Sequence, residues 1–285
     1  MVITKLIGGL GNQMFQYAVG RRVSLLNNTE LGLDISDFSN TQIATPRKYS
    51  LDVFSISGRI ATKEEVMIIK PVKNIWAERI KNILHLNKGD DFSFNPKILK
   101  TKDNSYLEGY WQSEKYFKDI EDIIRKDFTL KNPLGDAAQK IENEINKSQN
   151  PVSVHIRRGD YITDKTTNLY HGTCSPEYYE KAIEIIKKGV DSASLFIFSD
   201  DIDWVKNNLS FNLPTIYVSQ KGIADYEEMI LMSYCKHNVI ANSSFSWWGA
   251  WLNNHKDKLV IAPRKWFNAG DANSADLIPD NWIKI

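Results

Sequence analysis

Cysteine is scarce in this chain, and its scarcity excludes one way of stabilising a fold. The sequence contains two cysteines, Cys174 and Cys235. Two cysteines are too few for a disulfide framework, and they lack the close spacing of a zinc site. This usage fits a reducing cytosol and predicts two ordinary buried thiols.

Net charge and long apolar runs are also lacking. The chain has 36 Lys and Arg against 35 Asp and Glu, a net charge of +1, so nucleic acid and anionic membranes are disfavoured as partners of the whole surface. No run reaches the roughly 18 apolar residues of a membrane span. Gly8 and Gly9 interrupt the N-terminal apolar stretch before it could serve as a secretory signal. We expect a soluble cytoplasmic protein in which any anion site is local.

The length and the alternation of patterns predict two α/β domains. At 285 residues, 42% of them hydrophobic, the chain exceeds the usual size of one domain and can fill two cores. The polar stretch at 146–151 is typical of a linker, which predicts domains at 1–148 and 149–285. In the second half, strands alternate with helices of similar length, which favours a parallel doubly wound sheet.

The most informative stretch is 151–161. An apolar, β-branched run at 152–156 predicts a strand buried on both faces, and it ends abruptly at Arg157 and Arg158. Gly159 then allows a sharp turn. Paired guanidinium groups match phosphate oxygens. The plainer interpretation is a solvated turn whose arginines pair with Asp160 and with surface carboxylates.

Two further polar loops follow predicted strands of the same sheet, one at Asp200 and Asp201 and one at Ser243 and Ser244. Together with the arginines they would meet at the carboxyl edge of the sheet, where open α/β folds bind ligands. The arginines and a helix N-terminus would bind a diphosphate, and an aspartate would bind a base or ribose. Alternatively, the aspartates bind a divalent metal, or Asp201 only caps a helix.

The first half offers two candidate motifs. A strand at 2–7 leads through a glycine loop to a helix that we expect Asn12 to cap; this is neither a Walker loop nor a dinucleotide fingerprint. A second strand, near 106–113, ends in Trp111 and Gln112. An aromatic ring beside a forked polar group is typical of a sugar site, although an ordinary aromatic core strand would have the same pattern.

Four blocks of the sequence carry a more specific signal. They are GGLGNQMFQYA at 8–18, GYWQSEKYF at 109–117, HIRRGDY at 155–161 and NSSFSWWGAWL at 242–252. In order and spacing they resemble the bacterial α-1,2-fucosyltransferases of glycosyltransferase family 11, across nearly the whole chain. Each block alone would be weak evidence.

This resemblance implies a GT-B architecture, an α/β fold of two facing Rossmann-like domains with the active site in the cleft between them. The C-terminal domain would bind GDP-L-fucose and the N-terminal domain the acceptor, with no cofactor and no metal required. The implied reaction moves L-fucose, with inversion, to the 2-hydroxyl of a terminal galactose during O-antigen or other surface polysaccharide biosynthesis. The implied partners are a nucleotide sugar and a glycan; peripheral attachment to the inner face of a bacterial membrane stays open.

Carried over residue by residue, the resemblance implies that Arg157 holds the β-phosphate as the glycosidic bond breaks. Arg158 and Asp160 are further catalytic candidates. The implied donor-binding residues are His155, Asp200, Asp201, Asn242, Ser243, Ser244, Phe245, Ser246, Gly9, Gly11, Asn12 and Gln13. The acceptor-binding candidates are Trp111, Gln112 and Tyr161.

The general base is less well indicated. Some α-1,6 relatives use a glutamate a few residues after the paired arginines, whereas 161–165 reads YITDK here. Asp160, Asp164 and His171 are the candidates to accept the proton of the attacking hydroxyl. Asp160 could instead brace the arginines.

Three alternatives stay open. An enzyme of this fold could use another nucleotide sugar, such as GDP-mannose or a dTDP-deoxysugar. A binding module without catalysis is a second alternative, although binding alone would tolerate the loss of one arginine. A nucleic-acid binder is the third, and the neutral net charge disfavours it.

Overall fold

The computed structural model describes residues 1–39, 47–70, 92–159, 169, 172–268 and 273–285. The chain divides into two compact units: the first contains Met1–Asn132 and Asp271–Pro279, the second Pro133–Gly270 and Asp280–Ile285. The sequence predicts a domain boundary after residue 148, which is later than the division at Asn132 by one helix, Asp136–Lys147. That boundary between functional domains stays a prediction.

The first unit is built on a parallel sheet. Its strands are β1 (Val2–Lys5), β2 (Leu31–Asp34), β3 (Arg59–Ile60) and β4 (Ser105–Leu107), in the order β3-β2-β1-β4. Its α-helices are α1 (Leu10–Leu26), α2 (Lys63–Ile69) and α3 (Glu121–Asp127). Helix α1 lies directly on β1, since a Cβ at Gly20 would come within 2.1 Å of Thr4 Oγ1; only glycine permits this approach.

The second unit is built on a longer parallel sheet. Its strands are β5 (Asn150–Ile156), β6 (Ala193–Ser199), β7 (Thr215–Tyr217), β8 (His237–Val239), β9 (Val260–Ala262) and β10 (Ile283–Lys284). Their order is β10-β9-β8-β5-β6-β7. Its α-helices are α4 (Asp136–Lys147), α5 (Pro176–Gly189), α6 (Ile202–Asn208), α7 (Asp225–Tyr234) and α8 (Ser244–Leu252). The predicted parallel doubly wound sheet is confirmed.

Strand β5 is central to this second sheet. All of its residues are buried, as expected of a parallel strand covered on both faces. It pairs with β6 in a register that ends at Ile156 and Ser199, and with β8 on its other side. The polar residues that follow β5, β6 and β8 therefore lie at one edge of the sheet.

Each sheet has a point where the strand order reverses. In the second unit this point lies between β5 and β8, and in the first unit between β1 and β4. Open α/β sheets bind ligands in the crevice beyond the carboxyl ends of such strands. The block at 155–161 begins in the last two residues of β5, and the blocks at 8–18, 109–117 and 242–252 begin two or three residues after β1, β4 and β8.

Both cysteines are free thiols; Cys235 is buried as predicted, whereas Cys174 is partly exposed. Among the described helices, none has the length and apolarity needed to cross a membrane.

Candidate active site

The turn after β5 is held by the loop after β6. Asp200 Oδ2 accepts from Arg157 Nη1 at 2.9 Å, and Asp200 Oδ1 accepts from the Arg158 backbone N–H at 2.9 Å. Gly159 packs so closely that a Cβ there would lie 2.5 Å from Asp200 Oδ2. Both oxygens of the Asp200 carboxylate are thus engaged by the arginine turn.

Arg158 has different neighbours. Its Nε lies 3.3 Å from Asp201 Oδ2, and its guanidinium carbon lies 3.4 Å from the centroid of the Trp204 ring. Asp201 also caps α6 by accepting from the Trp204 N–H at 3.2 Å. The alternative interpretation of Asp201 as a helix cap therefore agrees with the structure.

His155 precedes the arginines at the end of β5. It is only 4% exposed, and its Nδ1 has no hydrogen-bond partner among the residues that the structure describes. Burial, and secondarily the charge of Arg157, lower the pKa of His155 to about 3, so the imidazole is neutral at neutral pH. A buried polar atom without a partner is costly, which makes it a candidate to meet a ligand.

The serine-rich block opens α8 beside β5, and the His155 and Phe245 rings lie 5.6 Å apart. Ser243 caps the helix by accepting from the Phe245 N–H at 3.4 Å. Asn242 and Ser246 are buried and bonded to backbone carbonyls. Of the five predicted residues in this block, 242–246, only Ser244 and Phe245 are partly exposed.

Glu228 on α7 was missed by sequence reasoning. Its Oε2 accepts a hydrogen bond from Ser219 Oγ at 2.9 Å. The same Ser219 Oγ accepts from the Ser199 N–H at the end of β6, also at 2.9 Å. Burial, with smaller effects of Asp225 and Asp200, raises the pKa of Glu228 to about 7. In sequence, nothing distinguishes it from the other acidic residues of α7.

In the first unit, the prediction that Asn12 caps α1 is wrong. The helix begins at Leu10, with Gly9 as its N-cap. Asn12 Oδ1 instead accepts from Gln112 Nε2 at 2.8 Å, which joins the glycine loop to the loop after β4. A donor-side candidate and an acceptor-side candidate are thus in contact.

Two other members of the glycine loop, Gly11 and Gln13, are packed internally. Gln13 is fully buried; its amide donates to the Gly8 and Lys48 carbonyls and accepts from the Ser50 N–H. Gly11 is buried, whereas Gly9 is partly exposed. The Gln13 amide therefore holds the segment at 48–50 against the glycine loop.

Trp111 stands out by its backbone. Its φ is +44°, which is rare for a bulky residue and is found where strain serves a function. Its ring lies over Gly109, where a Cβ would come within 2.7 Å of Trp111 Cε2. Trp111 as a whole residue is partly exposed, and a stacking surface for a sugar requires such exposure.

Four predicted residues lie outside the described part of the chain: Asp160, Tyr161, Asp164 and His171. Within the described part, no group of three or more His, Cys, Asp or Glu is arranged to hold a metal ion.

Comparison with solved structures identifies the class of fold. An Arabidopsis thaliana FUT1 variant in complex with GDP aligns with a TM-score of 0.53 and 13% identity, over 91% of this chain and 69% of that chain. POFUT1 in complex with GDP-fucose aligns with a TM-score of 0.50 and 13% identity, over 91% of this chain and 96% of that chain. The fold is of the GT-B type, with two Rossmann-like units.

Sequence comparison narrows this to a family. The model of glycosyl transferase family 11 matches residues 1–285, and the chain belongs to this family. It is 35% identical to an Alpha-1,2-colitosyltransferase of Escherichia coli, over 100% of this chain and 99% of that protein. It is 37% identical to the O-antigen biosynthesis glycosyltransferase WbnK of Escherichia coli, over 98% and 99% of the two chains.

More distant relatives include Galactoside alpha-(1,2)-fucosyltransferase 1 of Ateles belzebuth, at 22% identity over 86% of this chain and 63% of that protein. The chain is therefore a glycosyltransferase.

Proposed function

We propose that the protein transfers L-fucose from GDP-β-L-fucose to the 2-hydroxyl of a galactose, forming an α-1,2 linkage without a metal. The family and the α-1,2 linkage named for the colitosyltransferase and for the galactoside fucosyltransferase support this proposal. Transfer from a β-linked donor to an α-linked product inverts the anomeric carbon, which calls for a single displacement.

The observation that carries the proposal is the edge of the second sheet between β5 and β8. Arg157 follows β5, Ser244 begins α8, and His155 and Phe245 bring the two loops together. A fixed guanidinium beside a helix N-terminus is suited to a diphosphate. The His155 Nδ1, which has no hydrogen-bond partner among the described residues, and the partly exposed Phe245 beside it are suited to a base.

The reaction needs stabilisation of the leaving group. The acceptor oxygen forms a bond to the anomeric carbon while the bond from that carbon to the β-phosphate oxygen breaks, so negative charge develops on GDP. A preorganised donor aimed at such charge contributes on the order of 3 to 4 kcal/mol. We assign this role to Arg157, because Asp200 fixes its guanidinium before any ligand binds.

The proton of the acceptor hydroxyl must also be removed. We keep Asp160, Asp164 and His171 as candidates for the base, since all three follow the arginines closely in sequence. If the sugar carries most of the positive charge before the new bond forms, the base contributes little.

We assign the acceptor to the loop after β4 in the first unit. The Trp111 ring would stack on a sugar face, and Gln112, already bonded to Asn12, would orient hydroxyls. Tyr161 stays a further acceptor candidate.

The second candidate function is transfer of colitose. The 35% identical relative of matching length is named for this sugar. Colitose is L-fucose without its 3-hydroxyl, so the two donors share the nucleotide, the ring and the methyl group. Discrimination would rest on one hydrogen-bonding group that faces the 3-position.

The test is GDP release by purified protein in excess EDTA, with GDP-L-fucose or GDP-colitose as donor and with or without lactose as acceptor. Lactose-dependent release from GDP-L-fucose, with an α-1,2 product by NMR, supports the first candidate. Release from GDP-colitose alone moves the assignment to the second. If lactose has no effect but GDP stabilises the protein, the donor site stands and the acceptor is a different glycan.

A further inference from the structure

The register of β5 and β6 continues past the ends of both strands. The last paired residues are Ile156 and Ser199. One step further, Arg157 pairs with Asp200 at 2.9 Å, and two steps further, Arg158 pairs with Asp201 at 3.3 Å. Two arginines thus face two aspartates in order, which the sequence alone does not reveal.

The second of these pairs is part of a closed set of three contacts. Asp201 binds the Arg158 side chain and the Trp204 N–H, and the Arg158 guanidinium stacks on the Trp204 ring. The Arg158 side chain is only 18% exposed. Each group therefore restricts the other two, and the stacked face of the guanidinium is withheld from any ligand.

The first pair depends on the second through the backbone. The Arg158 N–H donates to the same carboxylate that binds the Arg157 guanidinium. Movement of Arg158 would displace this N–H, and with it the Asp200 carboxylate that orients Arg157.

We propose that the paired arginines divide their roles: Arg157 faces the ligand, while Arg158 is a positioning residue that Trp204 and Asp201 hold against α6. Trp204 thereby becomes a determinant of catalysis that contacts no substrate. This proposal rests on the proposed function only for its effect on turnover; the contacts themselves are independent of which sugar is transferred.

The test compares Trp204→Leu, which removes the ring, with Trp204→Phe, which keeps an aromatic face. The matched control is Tyr217→Leu, because Lys206 of the same helix α6 lies 5.1 Å from the Tyr217 ring; it removes a cation–π contact that does not involve the arginine turn. Readouts are kcat, KM for the donor and for the acceptor, GDP affinity by calorimetry, and hydrogen exchange at the Arg158 amide.

Loss of one such contact is expected to lower kcat by about tenfold and to speed exchange at the Arg158 amide by a similar factor. KM for the acceptor should change little. Trp204→Phe should recover most of both losses, and Tyr217→Leu should show neither. In an Arg158→Gln background, Trp204→Leu should have little further effect, since it acts through Arg158.

Wild-type kcat and wild-type exchange in Trp204→Leu would overturn the proposal, as would equal losses in Tyr217→Leu. If Trp204→Leu fails to fold, Asp201→Asn replaces it, because asparagine still caps a helix but lacks the charge that holds Arg158. If no donor is turned over by the wild type, the proposed function fails, whereas amide exchange still decides whether Trp204 fixes the turn.

Discussion

Arg157 is the residue on which the proposed chemistry depends most. Its side chain is fixed by Asp200 at the carboxyl end of β5, a strand whose residues are all buried. A group that is already oriented does not lose further entropy when charge develops on the leaving phosphate. At the residue scale, the site is thus prepared before the donor arrives.

We predict that Arg157→Ala lowers kcat by at least about a hundredfold, because it removes the donor opposite the developing charge. The fold should persist, since Asp200 keeps the Arg158 N–H. Turnover and thermal unfolding are measured together. Arg264→Ala, which changes an exposed arginine elsewhere in the second unit, is the control and should match the wild type; near-normal turnover in Arg157→Ala would remove the central assignment.

Glu228 gives the site a pH dependence. Its pKa of about 7 in the folded protein lies above the ordinary value of 4.5. Between these values the folded state holds a proton that the unfolded state has released, so the free energy of unfolding falls as pH rises from about 4.5 to 7. Below that range the group is neutral in both states.

We predict that Glu228→Gln removes this dependence and raises the free energy of unfolding at pH 8 by roughly 1 to 3 kcal/mol. Denaturant unfolding of both proteins at pH 5 and pH 8 measures it. Glu180→Gln, at an exposed position of α5, controls for loss of net charge. An equal pH slope in the wild type and in Glu228→Gln would show that Glu228 does not hold a proton in the folded state.

At the scale of elements, the turn directly after β5 depends on the absence of a side chain at Gly159. A Cβ there would lie 2.5 Å from Asp200 Oδ2, closer than any real contact, so either the turn or the carboxylate must move. Overpacking of this kind costs about 1 to 3 kcal/mol, and here it is applied to the carboxylate that orients Arg157.

We predict that Gly159→Ala weakens GDP binding by about tenfold, with a smaller effect on stability, because the displaced carboxylate no longer orients Arg157. Calorimetry with GDP and a thermal scan measure the two effects. Gly189→Ala is the matched control: its added Cβ would make an ordinary contact of 3.6 Å with Leu259, so GDP should bind unchanged. Unchanged GDP affinity in Gly159→Ala would count against the role of Asp200.

The elements show what could be predicted from the sequence. Strand β5 and its turn were predictable because an unbroken apolar run ends in two charges and a glycine. The cap of α1 was not, because Asn12 binds Gln112, one hundred residues away. The role of Trp204 could not be predicted either, because its contact with Arg158 depends on the register of β5 and β6 and not on nearby sequence.

At the scale of the whole molecule, the last residues of the chain contribute to both units. Residues 273–279 belong to the first unit, where Asp276 accepts from the Phe94 N–H and pairs with Lys115. Strand β10 then adds to the edge of the second sheet beside β9. The sequence at 266–285 has no clear period, and among the described residues of this stretch the regular structure is limited to β10.

The whole protein offers a test of the donor site that does not depend on the sugar. A ligand that binds only the folded state stabilises it by about 2.7 kcal/mol at one hundred times its Kd. For units of this size that corresponds to a rise in Tm of roughly 5 to 10 °C. We predict such a rise with GDP and a smaller one with UDP at equal concentration, because the diphosphate contacts are shared while those of the base are not. In Arg157→Ala the rise in Tm with GDP should be smaller, whereas in Arg264→Ala it should equal that of the wild type.

Equal shifts in Tm with GDP and UDP would mean that His155 and Phe245 do not recognise the base. The absence of any shift at millimolar GDP would contradict a nucleotide site between β5 and β8.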